Sequence, residues 1–211
     1  MISCKCPAET KLTSIPAITC PESFGQIQKV AFQRIYSSGT TKNAFTSSND
    51  IKLLASWTAL ESAADSTKIV ISPYIEAPTA EAGGAKTFGG GNDTLNGVEM
   101  IIGADPTPFT AVIRRAPQSV IKIMKELMCD SAVHNLGVYL FDENGNVGAL
   151  VDPSVATTFY PIPVEAFFVG DKTLGGLEAP DQNAIQWQFR PNWSDQLSVI
   201  VPTDFNPLTD L

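Results

Sequence analysis

The chain has 211 residues, a net charge of −8, a hydrophobic fraction of 44% and a charged fraction of 17%. That length suits one domain with a real core, and the acidic balance excludes a sequence-independent grip on duplex DNA, which needs clustered Lys and Arg. Fifteen Gly and fifteen Pro imply a loop-rich, β-containing protein whose uncharged surface suits coverage by neighbours. No run approaches the ~20 apolar residues of a membrane helix. Met1–Leu12 is polar and broken by Pro7, unlike a signal peptide, so synthesis and folding in a cytoplasm are expected.

Residues 1–23, with three prolines, three cysteines and little periodicity, read as an extended arm. Gln26–Tyr36 is β-prone and free of Gly and Pro, which predicts a strand, and Ser37-Ser38-Gly39 a turn. Ser48-Asn49-Asp50 offers helix N-caps before Leu53, Leu54, Trp57 and Leu60 at helical spacing, with an end at Asp65-Ser66. Trp57 is therefore expected in the core. Lys68–Tyr74 reads as a short buried strand.

Residues 76–97 hold Gly83-Gly84, Gly89-Gly90-Gly91 and Asn96-Gly97, and are expected as a long Gly-rich loop. Strands follow at Val98–Ile102 and Phe109–Arg115. Pro117 opens a second helix, with Val120, Ile121, Met124, Leu127 and Met128 as its buried stripe and an end near Asp130. Asn144-Gly145 between Leu136–Phe141 and Val147–Val151 is a strong hairpin signal. Pro163–Val169 and Ala184–Phe189 read as strands, and 191–211 as a C-terminal tail. This order predicts an α+β fold: an antiparallel β-sandwich or curved sheet with two packed helices, spanning a core domain of 24–190.

Motifs for catalysis are weak. Cys129 and His134 could form a dyad, but nothing local announces a depressed thiol pKa or an oxyanion hole. Cys4, Cys6 and Cys20, with Cys129 or His134, could supply zinc ligands; structural sites usually pair ligands twice over, so free thiols are expected. Asp142, Asn144 and Asn146 open like a calcium loop, yet Val147 and Pro153 stand where Gly and Glu are needed. Gly84-Ala85-Lys86-Thr87 fails as a phosphate loop. No cofactor or metal is expected, and the chain reads as a non-enzyme.

Gly137–Val147 (GVYLFDENGNV), Tyr160–Asp171 (YPIPVEAFFVGD), Gln186–Asp204 (QWQFRPNWSDQLSVIVPTD) and the run from Cys20 through Arg34 together resemble virion proteins of short-tailed phages infecting gut Bacteroidales, the crAss-like group. The resemblance implies a structural subunit with a tail-tube-like fold, forming with copies of itself a tail or neck ring around the DNA channel. Neighbouring tail, neck or portal-proximal proteins would be partners, DNA would pass through the lumen, and the location would be the virion. Residues 1–23, 76–97 and 191–211 would be contact arms, and Trp187, Phe189 and Trp193 interface anchors, unless they simply pack in the core. Alternatives are a capsid auxiliary or head-decorating protein, a carbohydrate-binding module using exposed Trp, and a small hydrolase built on Cys129 and His134.

Overall fold

A computed structural model describes residues 14–18 and 24–211. The strands are β1 (Ile27–Arg34), β2 (Tyr36–Ser38), β3 (Thr41–Lys42), β4 (Ile69–Ile71), β5 (Glu76–Ala80), β6 (Ala85–Gly89), β7 (Glu99–Ala104) and β8 (Thr107–Arg114). After them come β9 (Leu136–Asp142), β10 (Val147–Val151), β11 (Phe159–Tyr160), β12 (Ile162–Thr173), β13 (Gln182–Phe189) and β14 (Leu197–Ile200). Helix α1 (Leu54–Glu61) precedes β4, and α2 (Gln118–Ala132) lies between β8 and β9. The expected α+β antiparallel architecture is what forms.

β9 is central. β1 pairs along its whole length on one side, while its other side is shared by β10, at Leu140 and Phe141, and by the start of β12, at Gly137 and Val138. β12 then leaves this first sheet and pairs with β13, which pairs with β8, which pairs with β5. The departure occurs at a β-bulge between Glu165 and Phe168, where Ala166 takes a φ of 52°. The bulge turns Phe167 inward and frees its N–H, which donates to Ser131 Oγ at the end of α2 at 3.0 Å. Phe167 then meets Phe32 of β1 edge-to-face at 5.0 Å, so the second sheet packs on the first.

Two apolar clusters result, one on each face of the first sheet. Between the sheets lie Val30, Phe32, Val138 and Leu140 from β1 and β9, with Phe109, Ile185, Trp187 and Phe189 opposite and Ile121 and Met124 of α2 at the side. The alternate residues Ala31, Tyr139 and Phe141 point the other way, onto Phe45, Ile51, Trp57, Ile200 and Leu208. Trp57 is a core residue, as its helical spacing implied, and its Nε1 donates to Ile51 O at 2.8 Å.

Three expectations need correction. The first helix starts at Leu54 rather than after Ser48-Asn49-Asp50, which are used in a turn where Lys52 N donates to Asp50 Oδ1 at 3.0 Å. Its first N–H, on Leu54, is capped instead by Asp204 Oδ1 at 2.9 Å, from the C-terminal segment. That segment, expected as a loose tail, contains β14 and is strapped down across the second cluster. Lys29 Nζ, buried beneath it, donates to the main-chain oxygens of Leu208 at 3.0 Å and Leu211 at 2.7 Å, and Tyr74 Oη donates to Leu208 O at 2.7 Å. Burial pushes the Lys29 ammonium pKa down from its ordinary value. The third correction concerns 76–97, which is not one long loop: it holds β5, β6 and the turn into β7.

The Asn-Gly hairpin forms as expected between β9 and β10, and a buried carboxylate organises it. Asp142 accepts from Gly25 N (3.0 Å), Asn144 N (3.0 Å), Asn146 N (2.7 Å) and Asn146 Nδ2 (2.9 Å). These donors occupy the oxygens that a calcium ion would need. Burial pushes its pKa up, but the hydrogen bonds from Gly25, Asn146 and Asn144 outweigh burial and hold it below the usual carboxylate value. With the folded pKa depressed, this stabilisation is fully present above the unfolded value of ~4 and is lost as pH falls through the folded one. Asp142→Ala should therefore cost about 3 kcal/mol in urea unfolding at pH 7, and the gap to wild type should narrow below about pH 4.

Candidate assembly surface

β6 and β7 form a two-stranded ribbon of their own, separate from the two large sheets. It extends the β5–β8 pair, because β5 leads into β6 and β7 leads into β8. The junction is tight: a Cβ on Gly83 would collide with the Asp105 carbonyl, and Asp105 N donates to Gly84 O at 2.8 Å. At the far end, Gly89, Gly90 and Gly91 all have positive φ, which only glycine adopts freely. Thr94 closes that end, its hydroxyl accepting from Gly90 N at 3.1 Å and donating to Val98 O at 2.6 Å.

The ribbon is apolar and exposed. Phe88 is 54% exposed, Met100 54%, Ile101 74% and Ile102 63%. Phe88 lies opposite Met100, and Thr87 opposite Ile101. Because side chains alternate along a strand, Phe88 and Met100 share one face while Thr87, Glu99 and Ile101 share the other; Ile102 is the extra residue where the register shifts between Thr87 and Lys86. Among the described residues, neither outer edge of the ribbon has a strand partner. Isolated two-stranded hairpins are marginal in water, so this one gains most from being covered.

A second feature adjoins it. The outer face of the second sheet carries an uncharged row across four strands, Phe168–Gln186–Thr110–Thr79, with the two threonine hydroxyls 2.6 Å apart. Ion pairs sit at its ends, Arg114 with Glu76 at 2.6 Å and Arg190 with Glu165 at 2.7 Å. A charge-free centre with a charged rim is the anatomy of an interface.

The expected anchors divide. Trp187 and Phe189 are each 1% exposed and lie in the core; Phe109 stacks on Trp187 at 4.1 Å. Their period-2 spacing on β13 points them at this chain's own first sheet, so they are not surface anchors. Trp193 is half-buried and stacks on Phe189 at 4.4 Å, which leaves a limited part of it for contact. A burial of this kind counts against Trp187 as a sugar-stacking platform. Of the expected arms, 1–23 lies outside the described residues except for 14–18, which are exposed. Phe88 of the ribbon falls within the expected 76–97 arm, whereas Met100 and Ile102 went unread as contact residues, although the apolar run Met100-Ile101-Ile102 was the available signal.

Catalytic geometry is sparse. Cys129 is exposed on α2, and His134, beyond the helix end, has Nδ1 3.7 Å from Glu165, whose carboxylate also binds Arg190. Cys4, Cys6 and Cys20 lie outside the described residues, so the zinc reading does too. Among the described residues no three His, Cys, Asp or Glu converge as a metal site, and no helix is long and apolar enough to cross a membrane.

No protein-family model and no curated protein matches the chain. Among solved structures it is similar to a chain of the anti-feeding prophage (AFP) baseplate, determined by cryo-EM and 6-fold symmetrised, at 9% identity and a TM-score of 0.34. The match covers 90% of this chain and 98% of the other. A similarity of that size carries no role from one chain to the other.

The two tryptophans of this region should behave differently on truncation. Trp187→Ala is expected to cost about 3–5 kcal/mol in denaturant unfolding, and Trp193→Ala markedly less. Equal costs would mean that Trp193 belongs to the core after all.

Proposed function

We propose that this protein is a structural subunit of a phage virion, forming an oligomeric ring in the tail or neck that encloses the DNA channel. The observation that carries the reading is the β6–β7 ribbon: an apolar extension with free edges, on a domain whose two cores are already closed without it. A closed core leaves the ribbon no folding role, and exposed apolar surface of this kind marks association with other proteins. The uncharged outer row of the second sheet supplies a second contact face. Two different contact surfaces on one chain favour head-to-tail association, which closes into rings when the rotation permits. The resemblance of the C-terminal phrases to crAss-like virion proteins supports the phage setting. The chain's acidity suits a wall past which DNA slides. Its role is assembly rather than catalysis, with copies of itself and adjoining tail, neck or portal-proximal proteins as partners.

Light scattering of the purified chain across concentrations should reveal discrete higher oligomers, and mass spectrometry of particles should find many copies per virion. The double substitution Met100→Lys, Ile101→Lys should abolish oligomers while changing monomer stability by less than ~0.5 kcal/mol, because both side chains are exposed. A wild-type chain that is monomeric at every concentration and absent from particles would overturn the reading.

A further inference from the structure

We infer that the ribbon is completed edge to edge by a second copy of this chain, β7 of one copy pairing antiparallel with β6 of the next. The inference rests on the assembly role proposed above and names the contact that role would use. Its first support is the contrast between two free edges on the same molecule. β5 is also an outer strand, but its edge is blunted: Pro78 has no N–H to offer, and Ala77 takes a φ of 49°. The ribbon that continues directly from β5 contains no proline in either strand. Met100-Ile101-Ile102 on β7 is a β-prone run with free backbone donors and acceptors, the form that recruits another strand.

Charge selects the partner edge. β6 carries Lys86, and β7 carries Glu99 and leads into Asp105, which holds Lys86 at 2.9 Å within the chain. Joining β7 to β7 of a second copy would bring Glu99 and Asp105 of both copies to one seam, with each Lys86 on the far strand. Joining β6 to β6 would face lysine with lysine. Joining β7 to β6 can repeat between chains the register found within one, with Ile101 beside Thr87, Met100 beside Phe88 and Glu99 beside Gly89. That register sets Lys86 of the next copy near Asp105, so opposite charges meet at each seam. Each ribbon also ends with one β6 edge and one β7 edge free, so the pairing propagates from copy to copy instead of stopping at two.

The test mixes two full-length variants in which the native cysteines are replaced by serine. One carries Thr87→Cys and the other Ile101→Cys, so neither can form this disulfide within a chain. Oxidation of the mixture, at concentrations where light scattering shows oligomers, should yield the 87–101 cross-linked dimer well above either 87–87 or 101–101. A predominance of 101–101 would overturn the inference in favour of a two-fold dimer. Oligomers that form without 87–101 cross-links would overturn it while leaving the assembly role standing. A chain that never associates and never cross-links would overturn both.

Discussion

β1 and β9 have no solvent face. Along both strands successive side chains enter opposite apolar clusters, Phe32, Val138 and Leu140 on one side and Ala31, Tyr139 and Phe141 on the other. A sheet with this property has to be covered twice. The second sheet and α2 provide one cover, and α1, the Phe45–Ile51 stretch and the C-terminal segment provide the other. Each fully buried side chain contributes roughly 1.5–3 kcal/mol by leaving water, so both covers are strongly favoured. The same constraint explains the buried charges. Asp142 ends β9 inside the protein and Lys29 sits in β1 beneath the C-terminal segment, and each is tolerated because main-chain and side-chain partners meet it there.

The requirement for two covers also fixes the reach of the chain's end. Asp204 caps α1, Thr203 N donates to Lys52 O at 3.0 Å, and Leu208 lies over the second cluster. A segment committed to its own domain is not available to lap onto a neighbour. Among the surfaces that neither cover uses are the β6–β7 ribbon and the outer row of the second sheet.

Local chemistry made several elements legible. Asn144-Gly145 between apolar runs marked the β9–β10 hairpin, the stripe from Val120 to Met128 marked α2, and the alternation from Ala184 to Phe189 marked β13. Other features depend on partners remote in sequence. The α1 cap comes from Asp204, and no pattern near Ser48 could reveal it. β12 runs through a bulge at Ala166, which breaks the period-2 signal and puts Phe167, not Phe168, on the inner side with Ile162 and Val164. The ribbon was obscured by its own turn, since the glycines from 89 to 91 and Asn96-Gly97 are loop signals that also bend a hairpin. Period alone says which residues share a face of β13. It does not say whether that face meets the chain's own core or another molecule, and for Trp187 and Phe189 the difference decided between packing and contact.

The separation of ribbon from core has an energetic consequence for assembly. Ordering a strand residue costs about 1–2 kcal/mol of backbone entropy, and in most strands burial of the attached side chain offsets it. In β6 and β7 the side chains remain in water, so the offset is missing in the single chain and becomes available when another surface covers Phe88, Met100, Ile101 and Ile102. Covering those residues returns hydrophobic free energy without rearranging either cluster, because neither cluster includes them. A domain built this way can close both clusters before the ribbon is covered, and substitutions on the ribbon leave those clusters untouched.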